Sequence, residues 1–404
     1  MSNPVVAVAM SGGVDSSLAC ALLLEKGFRV FGITMRIPVE SKKAEDAAED
    51  AKKVCDRLGV PHYLVDLTCE FEKDVVSPFV EAYSRGITPN PCVICNPRIK
   101  FGHLLERSLG LGAEYLATGH YARAGRVDLK TQELVENHVV AGLCKDHSTD
   151  DVERSLSPRT YLARGKDKGR DQSYVLYGLD QNMLRHAMFP LGNLTKSTVR
   201  EMAKDIGLDV AEKPESQEIC FIAQKNYKEF LRHKRVSETP GLIVDTSGRV
   251  LGRHNGIVNY TVGQRKGLGI ESTCPLYVIH IDAKENKIVV GRREEAYASA
   301  CYIGSLNFIT VDEPDSPVHG TCMVRYRGQE VEATLYPRPF SPQESDPIET
   351  ECGVVLSESD VARVEFSIPL FAVTPGQSLV FYQGSYVYGG GTILETVHGT
   401  SLDI

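Results

Sequence analysis

The chain has 404 residues, of which 42% are hydrophobic, and a formal net charge of −8 at pH 7. This length predicts two or three domains with real cores, and the acidic balance excludes a polycation. A nucleic-acid partner would therefore need a local basic surface. No apolar run of about eighteen residues and no leader pattern is present, which predicts a soluble cytoplasmic protein with no membrane partner. The eleven scattered cysteines favour reduced thiols over a secreted disulfide framework.

Strands and helices alternate in the first half of the chain. Apolar runs predict buried strands, and amphipathic runs that stop near glycine predict helices. The predicted strands are Val5–Ala9, 29–35, 63–66 and 115–118, and the predicted helices are 17–26, 44–58, 70–85, 99–109 and 195–207. This alternation predicts an α/β fold with a doubly wound parallel sheet, whose ligands bind at the carboxyl ends of the strands.

A phosphate-binding loop is predicted at the first strand-to-helix turn, where residues 11–16 read SGGVDS. Backbone N–H groups and the helix N-terminus can face an anion there, and the two glycines let a phosphate approach the main chain. Ser11 and Ser16 add hydroxyl donors, and Asp15 could hold a magnesium ion. The loop lacks the Gly-Lys-Ser/Thr of a Walker loop and the third glycine of a dinucleotide fingerprint. An ordinary turn is the alternative interpretation.

Two polar segments carry cysteines. Residues 88–97 hold Cys92 and Cys95 among three prolines, which predicts a stiff loop and not a helix. The pair could be half a zinc site, a redox pair, a nucleophile with a neighbour, or two inert thiols. A missing second Cys-x-x-Cys argues against zinc, and a pair that does not open a helix argues against a thioredoxin-type site. Cys220 lies in the second segment, 213–221.

The second half of the chain changes character. Residues 124–169 break the βα alternation with polar sequence and are interpreted as an insertion or a mobile loop without an assigned role. Glycines punctuate short alternating strands after position 241, and the last hundred residues predict a small barrel or sandwich. Residues 225–266 carry nine Lys/Arg and three acids, a difference of +6 that favours a polyanionic partner.

Six motifs in a fixed order, SGGVDS, TPNPxxxCN, ATGHYAR, DQSY, ESQEICF and YTVGQRKGLGI, together resemble the bacterial and organellar tRNA-specific 2-thiouridylase family. Members of this family are ATP pyrophosphatases with a pyrophosphate loop. The resemblance implies a catalytic domain at 1–225, a central tRNA-binding domain at 226–297 and a C-terminal β-barrel at 298–404. It also implies that ATP adenylates the C2 oxygen of the wobble uridine in the tRNA anticodon. Sulfur then replaces that oxygen, giving 2-thiouridine, AMP and pyrophosphate.

The resemblance also assigns roles to residues. It implies that Cys95 is a nucleophile, that Cys220 carries a persulfide, and that a protein such as a cysteine desulfurase or a relay protein delivers the sulfur. The implied ATP contacts are Ala9, Met10, Ser11, Gly12, Gly13, Val14, Asp15, Ser16, Met35 and Gly119. The implied tRNA contacts are Asn90, Pro91, Cys92, His120, Arg170, Asp171, Gln172, Arg325, Tyr326, Arg327 and Gln377.

One position departs from the commonest family pattern, because Cys92 stands where an aspartate is usual. Cys92, Cys95 and Cys220 could then hold a 4Fe-4S cluster with one open iron for hydrosulfide. The persulfide route and the cluster route both stay open. Either route is expected to need thiols with lowered pKa values, and Arg98 and Lys100 are the candidate cations.

Two other functions are weighed against tRNA thiolation. An ATP pyrophosphatase that aminates a small molecule would need no cysteines in its cleft, and no glutaminase domain is present in the sequence. An RNA-binding module with a relic ATP loop would need neither the intact loop nor the paired cysteines.

Overall fold

The computed structural model describes residues 3–38, 41–143, 155–212, 219–222, 226–337, 348–349, 355–356 and 361–398. The α-helices are α1 Val14–Glu25, α2 Ser41–Leu58, α3 Thr68–Phe71, α4 Ser77–Ser84, α5 Pro91–Cys95, α6 Leu105–Gly110, α7 Asn137–Leu143, α8 Gln181–His186, α9 Lys196–Asp205 and α10 Tyr227–His233. Two π-helices span Glu72–Val76 and Asn96–Leu104, and 3₁₀ turns span Ser173–Leu176, Asp209–Glu212, Ile257–Asn259 and Arg293–Ala296.

The chain divides into two compact units. Unit 1 comprises Met1–Val75, Cys92–Lys225 and Ser385–Val387, and unit 2 comprises Val76–Pro91, Asn226–Gly384 and Tyr388–Ile404. The strands that lie wholly in unit 1 are β1 Val5–Ala9, β2 Arg29–Arg36, β3 His62–Asp66, β4 Tyr115–Ala117, β5 Ala122–Asp128, β6 Leu134–Glu136, β7 Leu156–Arg164 and β8 Ala187–Met188.

Unit 1 is built on a five-stranded parallel sheet in the order β3-β2-β1-β4-β8, which confirms the predicted α/β class. The apolar sequence of β1 suits its central position, where Val6, Ala7 and Val8 are fully buried. Helix α1 packs Leu18 and Leu23 into the same core. Gly27 ends this helix with φ at +78°, a conformation that only glycine adopts at no cost.

Residues 124–169 are not the irregular loop that their composition predicts. Strands β5, β6 and β7 form an antiparallel ribbon in the order β7-β5-β6. Leu162 and Ala163, which point to opposite faces of β7, are both fully buried, so β7 has buried apolar positions that the abundant charges around it obscure. Residues 144–154 lie outside the described residues, and most of the rest of the predicted insertion is strand or helix, with turns at 129–133 and 165–169.

Glu136 and His138 form a buried pair beside this ribbon. Glu136 Oε2 lies 3.1 Å from His138 Nδ1. Asn193 Nδ2 donates to Glu136 Oε1 at 2.7 Å. Burial raises the pKa of Glu136 to about 7, and burial lowers the pKa of His138 to about 4.

We expect Glu136→Gln to gain stability over the parent protein as the pH rises. Because folding raises this carboxyl's pKa, its contribution is complete below 4.5 and is lost as the pH rises through about 7. The substituted amide stays neutral at every pH, so the gain should reach about 2–3 kcal/mol above pH 7. Urea unfolding at about pH 5 and about pH 8 measures the difference in the free energy of unfolding between the variant and the parent protein. Exposed Glu133→Gln is the control, and equal shifts in both variants would contradict the assignment.

The remaining strands belong to unit 2, apart from the first two residues of β20: β9 Gly241–Asp245, β10 Val250–His254, β11 Tyr277–Asp282, β12 Lys287–Gly291, β13 Tyr297–Phe308, β14 Val318–Met323, β15 Val331–Tyr336, β16 Ile348–Glu349, β17 Val355–Leu356, β18 Val361–Phe371, β19 Ser378–Gln383 and β20 Tyr386–Val397. A four-stranded sheet runs β10-β9-β12-β11. Strands β13-β18-β15-β14-β19-β20 close into a six-stranded barrel through pairing of β13 with β20. The predicted central domain and C-terminal barrel are therefore confirmed as folds.

Candidate active site

The predicted phosphate loop connects β1 to α1. Gly12 has φ at +70°, and a Cβ there would lie 2.7 Å from the Ala47 carbonyl oxygen, so the turn requires glycine. The Ser11 amide donates to Ser16 Oγ at 3.2 Å, and Ser16 Oγ donates to the Gly13 carbonyl at 3.1 Å. Helix α1 has no side-chain cap at its first turn, so its N–H groups can receive an anion.

Asp15, in the first turn of α1, is bound on both carboxylate oxygens. Lys196 Nζ lies 2.7 Å from Oδ1 and 2.8 Å from Oδ2, and the Tyr121 hydroxyl donates to Oδ1 at 2.7 Å. The Lys196 side chain is only 10% exposed. The structure thus places a buried cation at the predicted phosphate loop. Because this lysine neutralises Asp15, the side chains as they lie do not fit a magnesium ion on that carboxylate.

The sequence analysis missed Lys196 and Tyr121. One signal could have found the lysine: Lys196 is the first residue of α9, directly after the Thr195 cap. A cation at the positive end of a helix dipole is unfavourable for the helix, so such a lysine indicates a charge that is used elsewhere.

Gly119 follows β4 and approaches the first turn of α1. A Cβ at this position would lie 2.8 Å from both the Asp15 carbonyl carbon and the Ser16 amide nitrogen. The carboxyl ends of β1 and β4 therefore bring Gly119 to the phosphate loop, as predicted for an edge where parallel strands end.

We expect Gly119→Ala to destabilise the fold by about 1–3 kcal/mol and to weaken ATP binding, because the new methyl group must displace backbone atoms of α1. Urea unfolding and calorimetric titration with ATP measure the two effects. Gly110→Ala, at the end of α6 with no atom within 4 Å of its Cβ position, is the matched control and should be neutral or slightly stabilising. If Gly119→Ala and Gly110→Ala had equal stability and bound ATP equally well, the close approach of Gly119 to α1 would not be required.

The Cys92 and Cys95 segment is a helix, so the predicted stiff loop is wrong. Pro91 is the first residue of α5, a position that tolerates proline because its missing N–H would have no partner there. The helix continues into the π-helix Asn96–Leu104. Asn96 anchors the junction, since its Nδ2 donates to the Val175 carbonyl at 2.7 Å. The cysteine pair does open a helix, which removes that argument against a redox pair.

The structure places the three predicted cysteines close enough to interact electrostatically. Cys220 interacts with Cys95 and with Cys92, and Lys100 acts on each of the three thiols. Cys95 is buried, whereas Cys92 and Cys220 keep part of their residue surface exposed although the surrounding protein desolvates all three thiols. Residues 213–218, which hold the beginning of the ESQEICF motif, lie outside the described residues.

The expected lowering of the thiol pKa values is wrong. Loss of solvation among the surrounding protein raises the pKa of Cys92 and Cys95, and it raises the pKa of Cys220 to about 12. Lys100 opposes the shift at all three thiols, as predicted, but burial outweighs it. Arg98, the other candidate cation, is exposed.

His120 lies at the same edge of the sheet and is buried. Its Nδ1 is 2.7 Å from Thr118 Oγ1, and its Nε2 is 3.4 Å from Lys100 Nζ. Burial first, and Lys100 second, hold the pKa of His120 well below its usual value, so the ring is neutral. An ammonium can only donate, so Nε2 accepts from Lys100 and Nδ1–H donates to Thr118.

The predicted tRNA segment 170–172 makes bonds within unit 1. Gln172 Oε1 accepts from the Tyr121 amide at 2.9 Å, and the Gln172 amide donates to the Tyr121 carbonyl at 2.9 Å. Asp171 accepts from the Ser173 hydroxyl at 2.9 Å and pairs with Arg164 at 3.6 Å. These bonds fix the backbone beside Tyr121, and the tRNA contact itself stays a prediction.

The predicted tRNA residues of unit 2 lie in two places. Arg325 and Arg327 are exposed after β14, with the Arg327 guanidinium 5.2 Å from the centre of the Tyr326 ring. This arrangement leaves a half-buried aromatic ring beside two cations, which suits an unpaired base. Gln377 Nε2 donates to the Thr88 carbonyl at 2.7 Å, close in sequence to Asn90 and Pro91.

The three cysteines were also tested for a 4Fe-4S cluster. Within the described ranges, no three Cys, His, Asp or Glu side chains are arranged so that they could hold a metal ion. The arrangement that the structure shows therefore does not fit a cluster, and no step below depends on one.

Three family models cover most of the chain. They are the tRNA methyl transferase HUP domain at residues 4–224, the tRNA methyl transferase PRC-barrel domain at 228–292, and the aminomethyltransferase beta-barrel domain at 344–393. The tRNA-specific 2-thiouridylase MnmA 2 of Thermoanaerobacter sp. is 42% identical over 402 residues, which are 97% of this chain and 98% of that protein. The tRNA-specific 2-thiouridylase MnmA of Acetivibrio thermocellus is 40% identical over 404 residues, 97% of this chain and all of that protein.

Solved structures are more distant. The U34-tRNA thiolase NcsA from Methanococcus maripaludis, with its 4Fe-4S cluster, is 19% identical, with a TM-score of 0.31 over 58% of this chain and 66% of that one. A likeness this partial carries no argument about a cluster in the present chain.

A glycine-containing loop at the first βα turn of a parallel sheet, in a chain that matches a HUP-domain model, is typical of the class of PP-loop ATP-binding enzymes. Within that class, the chain belongs to the tRNA-specific 2-thiouridylase family, and it is a sulfurtransferase. The predicted membership is confirmed over nearly the whole length. No helix among the described residues is both long and apolar enough to span a membrane.

Proposed function

We propose that this sulfurtransferase acts on the wobble uridine of the tRNA anticodon in two steps, adenylation of the C2 oxygen by ATP and replacement of the adenylated oxygen by sulfur. Oxygen at C2 is a poor leaving group, and esterification with AMP makes it a good one. The observation that carries the proposal is the presence, in one unit, of an anion-binding loop and three interacting thiols.

The proposed adenylation takes place at the phosphate loop. ATP would contact Ala9, Met10, Ser11, Gly12, Gly13, Val14, Asp15, Ser16, Met35 and Gly119. Lys196 is buried beside this loop, and its ammonium can turn from Asp15 to the phosphates as negative charge develops on pyrophosphate. The magnesium that accompanies ATP would then be held by the phosphate oxygens.

The proposed sulfur step uses Cys95 and a persulfide on Cys220, loaded by a sulfur-donor protein. The Cys95 thiolate attacks Cys220 Sγ, the bond between Sγ and the terminal sulfur breaks, and that sulfur leaves as hydrosulfide with the bonding electron pair. The products are a Cys95–Cys220 disulfide and hydrosulfide, which attacks C2 and displaces AMP. A thiol reductant restores the two cysteines. Because burial keeps both thiols protonated at neutral pH, Cys95 must lose its proton as the substrate binds.

Each unit has its own proposed tRNA contacts. In unit 1, Cys92 and His120 would contact the target base, and Arg170, Asp171 and Gln172 would contact other parts of the tRNA. In unit 2, the proposed tRNA contacts are Asn90, Pro91, Arg325, Tyr326, Arg327 and Gln377. Cations on phosphates position an RNA, and aromatic rings stack on its unpaired bases.

One incubation tests the proposal. Purified protein is mixed with ATP, a sulfur source, a thiol reductant and unmodified tRNA. The tRNA is then digested to nucleosides, whose masses are measured by mass spectrometry. We expect a uridine mass gain equal to sulfur for oxygen at the wobble position, with pyrophosphate and AMP formed in step. Pyrophosphate release that needs only a small acceptor, with no thiolated uridine, would overturn it.

A further inference from the structure

Lys100 lies on the π-helix that begins directly after Cys95. In a π-helix each N–H bonds to the carbonyl five residues earlier, so residues five apart follow one another on one face. Cys95 caps this helix and Lys100 is five residues on. In a regular α-helix the same two residues would be rotated well away from each other. The rare helix form therefore turns Lys100 toward the cysteine side.

Two buried side chains orient the Lys100 ammonium. His120 Nε2 accepts from Nζ at 3.4 Å, and Thr118 Oγ1 holds the ring from its other nitrogen at 2.7 Å. The ring also packs edge-on against Phe189, with the ring centres 6.1 Å apart. A neutral imidazole held on three sides is a fixed acceptor, so the long lysine side chain is directed and not free to swing through solvent.

Among the described residues, Lys100 is a cation that acts on all three cysteines. It interacts electrostatically with Cys92, Cys95 and Cys220 and lies half-buried, where water screens its charge less than at the surface. Arg98 stands two residues earlier on the same helix but is exposed. The same helix therefore carries a half-buried cation, Lys100, and an exposed cation of equal charge, Arg98.

We propose that Lys100, oriented by His120, is the positioning residue that attracts anionic sulfur to the three cysteines and keeps it there during transfer. The anions in question are the thiolate that attacks and the hydrosulfide that leaves. Both carry one negative charge, and hydrosulfide is small enough to diffuse into water before it reaches C2. A fixed ammonium in a poorly solvated site retains it. His120, through its bond to Lys100, acts in the same process without touching sulfur.

The inference rests on the proposed sulfur transfer, but its test needs neither ATP nor tRNA. Reduced protein is alkylated in parallel with iodoacetate, an anion, and iodoacetamide, its neutral counterpart, and each cysteine is quantified by peptide mass spectrometry. The ratio of the two rates reports the local positive field, because any change in the thiolate fraction affects both reagents equally. Cys69, an exposed thiol of the same unit, is the internal reference.

We expect Lys100→Met to lower the ratio of iodoacetate to iodoacetamide at Cys92, Cys95 and Cys220 by about three- to tenfold, with no change at Cys69. Lys100→Arg should restore most of it. Arg98→Met, the matched control, should leave it unchanged. An unchanged ratio in Lys100→Met, or an equal fall in Arg98→Met, would overturn the inference.

A second measurement applies if Lys100→Met does not fold. In the wild-type protein, added salt should slow iodoacetate at the three cysteines more than at Cys69, since only the former lie in a positive field. Equal salt dependence at all four cysteines would overturn the inference. His120→Asn should give a smaller fall in the ratio than Lys100→Met, because the ammonium stays but is no longer held.

Discussion

Replacing Cys95 or Cys220 by serine is expected to abolish 2-thiouridine formation, with a loss of at least ~10³-fold in each variant. Serine is close in size to cysteine but cannot carry a persulfide or form the disulfide that accompanies sulfur release. The two losses should not add, because both thiols act in one step. Mass spectrometry of digested tRNA measures the product.

Two control measurements test whether the loss is specific to the sulfur step. Both serine variants should still release pyrophosphate when ATP and tRNA are present, because adenylation precedes the sulfur step in the proposed reaction. Cys69→Ser, an exposed thiol of unit 1, should keep full activity. Wild-type thiolation by either active-site serine variant would show that sulfur reaches the base without these two cysteines.

Replacing Lys196 by methionine is expected to slow pyrophosphate release by about 10²–10³-fold. The lysine ammonium contacts both oxygens of Asp15 at the start of α1, so it is placed to stabilise charge that develops on the leaving phosphates. Methionine keeps most of the side-chain volume and removes the charge. Initial rates of pyrophosphate formation under saturating tRNA measure the effect.

The controls separate charge from folding. Lys204→Met, an exposed cation at the other end of α9, should leave the rate unchanged. Lys196→Arg should recover part of the activity, since a cation is restored but its planar group does not reproduce the ammonium geometry. A Lys196→Met protein that melts like the wild type and releases pyrophosphate at the wild-type rate would contradict the role of the lysine.

The parts of the fold that local sequence dictates were predicted well. Strand β1 is a continuous apolar run, and α1 ends where Gly27 takes a left-handed conformation, so both have strong local signals. The capped helix predicted over 195–207 was confirmed as α9, with Thr195 Oγ1 accepting from the Thr198 amide. The phosphate loop lies between β1 and α1, where its motif indicates.

Other features depend on tertiary contacts and could not be predicted from the local sequence. Prolines around Cys92 predicted a loop, but Pro91 is compatible with the first turn of a helix. The charges of residues 124–169 hid the buried apolar positions of β7. Contact between Asp15 and Lys196 joins positions 181 residues apart, which no local pattern reports. The thiol pKa values depend on burial, which outweighs Lys100, one of the two cations that the sequence indicates.

The central claim is that ATP makes a carbonyl oxygen of tRNA a leaving group, and one labelling experiment tests it most directly. Transfer RNA is prepared with heavy oxygen at C2 of the wobble uridine, and the reaction is run with ATP and a sulfur source. The account predicts that AMP carries the heavy oxygen for every 2-thiouridine formed, while pyrophosphate stays unlabelled. Thiolated tRNA accompanied by unlabelled AMP would contradict it, because the oxygen would then have left C2 by a route without adenylation.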